Sequence, residues 1–299
     1  MSKVVDIHNL TKSYGKDIAV KDVSFSIESN KICGLLGRNG AGKTTIMHMI
    51  TAQLFPTSGD LKIFDERPYE NRDVLNKICF IKESQKYPPN FCVHDVLEVA
   101  ATLFPNWDQR FAKRLLKDFN LPRKRRIKKL SRGMLSSVGI IIGLASRAPL
   151  TIFDEPYLGL DAVARNLFYN HLIEDYADHP RTILLSTHLI DEVSKILEQV
   201  MVIDKGELII NEEADSLRGS AYAVAGLATK VDAFIQGKKV INKPHSLGGF
   251  TSAVIMDTPK FEDRKQADLL GLNITSVSIQ ELIVHLTGGN SQGKAVELQ

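Results

Sequence analysis

Nine consecutive residues carry the plainest chemistry in this chain: Gly37-Arg38-Asn39-Gly40-Ala41-Gly42-Lys43-Thr44-Thr45. Gly37, Gly42, Lys43 and Thr44 fit the pattern G-x-x-x-x-G-K-[ST], whose glycines let several backbone N–H groups turn toward one polyanion. The loop as a whole is therefore a candidate phosphate cradle, with Asn39, Gly40 and Thr45 among the candidate nucleotide contacts. In such a loop the Lys43 ammonium reaches the β- and γ-phosphates, and the Thr44 hydroxyl ligates Mg²⁺. The apolar run Ile32–Leu36 comes before it and the apolar-periodic Ile46–Leu54 after it, which predicts strand, loop and helix. The N-terminus of that helix adds its positive dipole end to the same site.

A second constellation follows at Leu150–Glu155, an apolar run ending in two carboxylates. Acids at the carboxyl end of a buried strand face the crevice where α/β sheets bind ligands. Asp154 can hold Mg²⁺, usually through water, and Glu155 can take a proton from an attacking water. Thr182–Ser186 predicts another buried strand, with His188 just beyond it; taken alone, this histidine could equally be structural. Tyr14, in the polar link between two alternating segments, is either a platform for an adenine ring or a packing residue. No histidine pair has H-E-x-x-H spacing, and no Cys/His cluster in the sequence points to zinc.

Composition narrows the function classes. The 299 residues are 43% hydrophobic and 24% charged, as in ordinary globular proteins. A net charge of +3 is too small to argue for nucleic acid. The run Arg123–Lys129 holds six cations, yet no second basic stripe accompanies it, so a solvated loop is expected and no nucleic-acid partner. No secretory signal is expected from the opening Met1-Ser2-Lys3, and the longest mid-chain apolar run, Val138–Ala145, is far shorter than the roughly 20 residues a membrane span needs. Cys33, Cys79 and Cys92 form no C-x-x-C pair, and buried free thiols in a reducing compartment are the simpler account.

The elements that must position these residues can be read in order. Val4–Leu10 and Val20–Ile27 alternate as antiparallel strands do, and Asp60–Asp65 and Lys77–Ile81 predict two further strands. Residues 84–147 then turn aromatic-rich and helical, with Val93–Phe104 and Gln109–Phe119 periodic and Ser131 a candidate N-cap. A helix is expected from just after Asp161 to about Asp178. From Gly219 the character changes to a small α+β element. There Ala221–Leu227, Lys239–Ile241 and Phe250–Met256 read as strands, and Lys230–Gln236, Phe261–Leu270 and Ser278–Leu286 as helices. A loose tail is expected from Gly288.

In this order and spacing, the motifs resemble the ATP-binding subunits of ABC transporters over about residues 3–218. Gly37–Thr45 is similar to the Walker A loop, Leu130–Met134 (LSRGM) to the LSGGQ signature, and Leu150–Glu155 to Walker B with its adjoining glutamate. Leu158–Asp161 resembles the D-loop, His188 the switch histidine, and Tyr14 the adenine-stacking aromatic. The resemblance implies an α/β fold with a P-loop ABC ATPase core, made of a mixed sheet, an antiparallel β subdomain and a helical subdomain. It also implies domain limits of 1–218 for the ATPase (84–147 helical) and 219–299 for an accessory element. Two departures stand out. Arg132 and Met134 replace the usual Gly and Gln of the signature, although Ser131 and Gly133, which the family sets against the partner's γ-phosphate, are kept. The metal-sensing glutamine aligns with Glu83, while a true glutamine stands at Gln85.

The implied mechanism sandwiches two ATPs between two such subunits, in a homodimer or heterodimer, with Mg²⁺ held by Thr44 and Asp154 and sensed by Glu83 or Gln85. Ser131, Gly133 and Asp161 act across the dimer, Glu155 polarises water, and His188 steadies the γ-phosphate. A separate membrane-spanning permease, docked beside 84–107, makes the implied location the cytoplasmic face of the membrane. Overall similarity is to bacterial exporter subunits associated with peptide antibiotics and envelope stress. The alternative is a soluble ABC ATPase, or a nucleotide-dependent regulatory module, not coupled to transport.

Overall fold

The computed structural model describes residues 2–83, 85–243 and 248–288. In chain order its elements begin β1 (Lys3–Tyr14), β2 (Asp17–Glu28), β3 (Ile32–Leu36), α1 (Lys43–Ile50), β4 (Ser58–Ile63), α2 (Arg72–Leu75) and β5 (Ile78–Ile81). There follow α3 (Val93–Leu103), α4 (Gln109–Asp118), a 3₁₀ turn (Ile127–Lys129), α5 (Arg132–Ser146), β6 (Leu150–Asp154), α6 (Ala162–Asp178), β7 (Thr182–Thr187), α7 (Ile190–Val193), β8 (Gln199–Asp204) and β9 (Glu207–Glu213). Residues up to His188, with Ile196–Asn211, form one compact unit. Leu189–Lys195 and the described residues from Glu212 onward form a second.

The first unit is built on a six-stranded sheet in the order β5-β6-β7-β3-β8-β9. β3, β6, β7 and β8 are buried at every position and run as near-continuous apolar stretches, as strands covered on both faces must. The pairs β3–β7, β3–β8 and β6–β7 are parallel, so their carboxyl ends lie along one edge. Beside this sheet is a smaller one, β2-β1-β4, in which alternate residues are buried, Val5 opposite Ile27 and Ile7 opposite Phe25. The expected strand Asp60–Asp65 is displaced to Ser58–Ile63, because Phe64 and Asp65 take left-handed φ of +52° and +64° and turn the chain.

Between β5 and β6 the chain is helical. At the start of α3 the Asp95 side chain reaches back, its Oδ2 accepting from the Cys92 N–H at 2.7 Å, and Asp108 caps α4 by accepting from Arg110 N–H and Phe111 N–H, both at 2.8 Å. Ser131 caps α5, its Oγ accepting from Met134 N–H at 3.2 Å. The apolar run Val138–Ala145 lies in α5 and is buried in the protein core. Among the described residues no helix is long and apolar enough to cross a membrane. In the basic run the cationic residues are exposed while Ile127 is buried, and Arg123 and Arg125 carbonyls accept from the N–H groups of His94 and Val93. Cys33 and Cys79 are buried thiols outside any disulfide, and burial pushes the Cys79 pKa up to about 12.

The second unit continues with α8 (Ala214–Leu217), β10 (Tyr222–Leu227), α9 (Ala228–Phe234), β11 (Val240–Asn242), β12 (Phe250–Ile255), α10 (Phe261–Leu270), β13 (Asn273–Ser276) and α11 (Ile279–Gly288). The sheet order β11-β12-β10-β13, with a helix after the first and third of its strands in sequence, is the split βαβ arrangement of ferredoxin-like domains. Its core gathers Tyr222, Val224, Phe234, Ile255 and Leu272. The helix expected at Lys230–Gln236 starts earlier, at Ala228, and is followed by Gly237 at φ +76°. Ser278 lies outside α11 and caps it, its Oγ accepting from Glu281 N–H at 3.2 Å while Glu281 Oε2 accepts from Ser278 N–H at 2.9 Å. Gly288, expected to open a loose tail, ends α11 instead, and the rest of that tail lies outside the described residues. α7 packs against α11, with Asp191 N–H donating to Gln280 Oε1 at 3.4 Å.

One contact tests the central sheet. A Cβ at Gly143 of α5 would lie 2.4 Å from the Phe153 ring of β6, both groups being buried. Gly143→Ala is expected to destabilise the protein by about 1–3 kcal/mol through overpacking, measured as a lower midpoint in urea denaturation. An unchanged midpoint would mean that α5 moves freely on the sheet.

Candidate functional site

The parallel register decides where the chemistry meets. Leu36 of β3 pairs with Thr187 of β7, and Asp154 of β6 pairs with Ser186 of β7. The loop after β3, the acids ending β6 and the histidine after β7 therefore leave the sheet at one edge. Residues far apart in sequence become neighbours there because three strands end side by side.

Two glycines shape the loop. Gly37 has φ +148°, and a Cβ on it would stand 2.2 Å from the Ile203 carbonyl oxygen; Gly42 has φ +111°, and its Cβ would stand 2.6 Å from the Ala19 carbonyl oxygen. Any side chain at either position would collide with backbone. Gly42 is also the N-cap of α1 and caps with no side chain, so the first N–H groups of the helix are left to an anion. Asn39 and Gly40 form the exposed crest of the loop, and Thr45 is half-buried in the first turn of α1.

Lys43 is buried, its Nζ donating to Gly37 O at 2.7 Å and Arg38 O at 3.2 Å. Burial lowers its pKa, opposed by the nearby carboxylates of Glu155 and Asp154. Thr44 Oγ1 donates to Asp154 Oδ2 at 2.8 Å, and Ser186 Oγ donates to Asp154 Oδ1 at 2.5 Å. The hydroxyl and the carboxylate put hard oxygen donors side by side, the donor chemistry that Mg²⁺ takes.

Glu155 follows Asp154 with a left-handed φ of +49°, which turns its side chain off the strand. Its N–H donates to Ser186 Oγ at 3.1 Å. Oε2 faces His188 Nδ1 at 2.8 Å and accepts from the Tyr157 hydroxyl. Oε1 is buried without a hydrogen-bond partner, 3.7 Å from Lys43 Nζ. A carboxylate oxygen left without a donor is a group able to accept a proton.

The remaining candidates lie around this centre. Tyr14 is exposed at the tip of the β1–β2 hairpin, opposite Asp17, with Lys12 Nζ over its ring at 5.3 Å. The same hairpin supplies the Ala19 carbonyl against Gly42. Ser131 and Gly133 begin α5; a Cβ on Gly133 would lie 2.4 Å from Gly159 O, and Ser136 Oγ donates to Leu158 O at 2.7 Å. The signature segment is thus packed directly on the Leu158–Asp161 loop. Asp161 caps α6, its Oδ1 accepting from Ala164 N–H at 2.8 Å.

Glu83 is engaged by Arg132, Oε1 to Nη2 at 3.0 Å. The two departures from the family pattern are therefore opposite charges in contact, and the carboxylate's charge is offset by the guanidinium. Gln85 is half-buried nearby, and both residues line a cavity of about 320 Å³ that also holds Arg132 and Leu135.

Sequence reasoning missed three members. Tyr157 is buried, and its hydroxyl reaches Glu155, Thr187 Oγ1 (2.6 Å) and His188 N–H (3.1 Å). Ser186 and Thr187 stand beside Asp154 and Tyr157. Their signal was two hydroxyls closing an otherwise apolar strand. The structure also gathers ligating atoms of Cys92, His94 and Asp95 within 4.8 Å, a grouping the sequence did not suggest. There Cys92 Sγ donates to Lys124 O at 3.2 Å and Asp95 caps α3, so helix capping accounts for the grouping.

Comparison with known proteins follows this geometry. The profile of the family described as "ABC transporter" matches residues 20–158. The lantibiotic transport ATP-binding protein SrtF of Streptococcus pyogenes is 34% identical over 214 residues, 71% of this chain and 92% of that protein. The ABC transporter ATP-binding protein YtrB of Bacillus subtilis (strain 168) is 23% identical over 292 residues, 96% of this chain and 99% of that protein. Among solved structures, a dimeric ATP-binding cassette in a post-hydrolysis state, bound to ADP and Pi, superimposes with a TM-score of 0.62 at 23% identity. That match covers 70% of this chain and 98% of the other.

The Glu83–Arg132 contact generates a test of the metal-sensing position. Glu83→Ala is expected to lower Mg²⁺-dependent nucleotide turnover about tenfold or more, and Gln85→Ala to lower it less. The opposite ranking in steady-state assays would move the role to Gln85.

Proposed function

This chain belongs to the ABC transporter family as an ATP-binding and ATP-hydrolysing subunit, and we propose that it is the motor of a membrane exporter for peptides or antibiotic-like compounds. The observation that carries the motor assignment is the meeting of Lys43, Thr44, Asp154, Glu155 and His188 at one sheet edge. The export assignment draws on the lantibiotic transport function in the name of SrtF. YtrB and SrtF are both described as transporter subunits, which does not favour the alternative of a cassette uncoupled from transport.

In the proposed mechanism, the loop amides and Lys43 hold the triphosphate, with Tyr14 stacking on the adenine and Asn39, Gly40 and Thr45 completing the cradle. Mg²⁺, held by Thr44 and Asp154, would neutralise charge between the β- and γ-phosphates. Glu155 Oε1 accepts the proton of a water as that water bonds to the γ-phosphorus and the bond to the ADP oxygen breaks. His188 steadies the oxygens of the transferred phosphoryl group. Phosphoryl transfer asks little of a protein beyond such positioning and charge stabilisation.

ABC subunits of this kind act as dimers and with membrane permeases; the finer arrangement here is a proposal. Ser131, Gly133 and Asp161 contact the nucleotide of a second ATP-binding subunit, either another copy of this chain or a homologue. The permease docks on an apolar groove of about 260 Å³ lined by Phe80, Tyr87, Phe91, Val99, Leu103 and Phe104. A peripheral position on the cytoplasmic face follows from that docking. Residues 1–218 are assigned to the ATPase and 219–299 to an accessory domain. Co-purification of the tagged chain with an integral membrane protein from detergent-solubilised membranes tests the assignment; ribosomal or DNA-bound partners in its place would overturn it.

Two variant experiments follow. Lys43→Ala should weaken ATP binding, whereas Glu155→Gln should bind ATP and slow hydrolysis by about 10²–10⁴. The Gln variant should also accumulate as an ATP-bound dimer in size-exclusion chromatography with its pairing partner present. Parent-rate hydrolysis by Glu155→Gln would remove Glu155 from the chemistry. A chain ending at Arg218 should still bind ATP but melt at lower temperature, since Ile190 and Val193 of α7 are buried and α7 packs on α11. A folded truncation that binds no ATP would show the boundary to be misplaced.

A further inference from the structure

We propose that Tyr157 is a positioning residue for hydrolysis, whose hydroxyl ties the Glu155 carboxylate to the backbone of His188 and so sets which carboxylate oxygen meets the attacking water. The proposal rests on the reading of Glu155 as the proton acceptor.

The side chain of Tyr157 leaves the turn between β6 and α6 and is buried to 3% exposure. Its hydroxyl meets Glu155 Oε2, Thr187 Oγ1 at 2.6 Å and His188 N–H at 3.1 Å. A phenol has one proton to donate and two lone pairs to accept with. A carboxylate accepts only and a backbone N–H donates only, so the directions are forced. Tyr157 donates to Glu155, accepts from His188 N–H, and has its second lone pair for the Thr187 hydroxyl. The aromatic ring also stands edge-on to the His188 imidazole, with centroids 5.9 Å apart and planes at 63°.

The consequence falls on the carboxylate. Glu155 sits on a left-handed backbone and carries three side-chain torsions, so nothing local fixes its head group. Oε2 is held by Tyr157 and faces His188 Nδ1 at 2.8 Å. Oε1 is thereby left as the oxygen without a hydrogen bond, on the side of Lys43. Tyr157 performs this task across the physiological range, because burial and the adjoining Glu155 push its own pKa well above the ordinary phenol value.

The test compares the parent, Tyr157→Phe and Glu155→Gln in the transporter complex purified from membranes, by single-turnover hydrolysis and ATP affinity. Tyr157→Phe keeps the ring and should leave ATP affinity within about twofold while lowering the hydrolysis rate about tenfold, in the range of supporting-shell substitutions. A fluorotyrosine at position 157 keeps the hydroxyl and should keep the parent rate within about twofold. Loss of ATP affinity alongside rate, or a fall in rate matched by loss of folded protein or shared by the fluorotyrosine protein, would assign Tyr157 to packing and overturn the proposal. Should the Phe variant not fold, the fluorine resonance of the fluorotyrosine protein decides: it should shift on Glu155→Gln, and an unmoved resonance overturns the proposal. Parent-rate hydrolysis by Glu155→Gln would instead overturn the Glu155 reading on which the proposal depends. An inactive Glu155→Gln beside a Tyr157→Phe protein with the parent rate would sink the Tyr157 proposal alone.

Discussion

Lys43 and Glu155 are buried with their charges 3.7 Å apart, and much of the first unit serves to make that arrangement tolerable. Removing an ion from water costs several kcal/mol even after relaxation, and a buried pair recovers this only when its other valences are also met. The lysine meets them through the Gly37 and Arg38 carbonyls, which face inward because Gly37 carries no side chain. The glutamate meets them through Tyr157 and His188 at one oxygen, while the other lies nearest the cation. Such a pair contributes little to stability. It places a cation and a carboxylate side by side at the sheet edge where the glycine loop opens.

The same economy extends to the start of α5. Gly133 has no side chain because the Gly159 backbone occupies that space, and Ser136 bonds the carbonyl of Leu158. The signature and the Leu158–Asp161 loop are therefore one mechanical piece, and a shift of either reaches the other through backbone contact. The exposed pair Arg132–Glu83 extends this piece to the segment after β5. Exposed ion pairs of this kind contribute roughly 0–1 kcal/mol, so the pair matches two opposite charges and adds little to the stability of the fold.

The chain passes from the first unit to the second immediately after His188. The chain enters that unit one residue after His188, through α7, and α7 is packed on α11. Arg218 adds a bond from its guanidinium to Ser194 O at 2.5 Å. Residues that belong by packing to the C-terminal unit thus include the segment immediately following the histidine.

Local chemistry was legible in the sequence wherever one short segment contains the whole constraint. Gly37–Thr45 requires its glycines for reasons internal to the loop, the apolar runs of β3, β6 and β7 announce strands buried on both faces, and Ser131 caps α5 with its own hydroxyl. Periodicity placed the strand and helix of each motif, although Phe64 and Asp65 ended β4 early through backbone angles that composition does not display. What needed the tertiary structure was every relation between segments. The order β6-β7-β3 brings Asp154 beside Ser186 and Leu36 beside Thr187, and no spacing along the chain encodes which strands are neighbours. Nothing along the chain distinguishes Tyr157, whose hydroxyl lies between Glu155 and His188 only once the chain is folded, and Arg132 and Glu83, separate departures in the sequence, meet in the structure. The sequence by itself determined where a glycine loop joins strand to helix and which strands are buried on both faces, because that depends on side-chain type and local backbone freedom. Only the tertiary structure decided which atom of each is bound, buried or left open, because hydrogen-bond partners and burial arise from strand neighbours far apart in the chain.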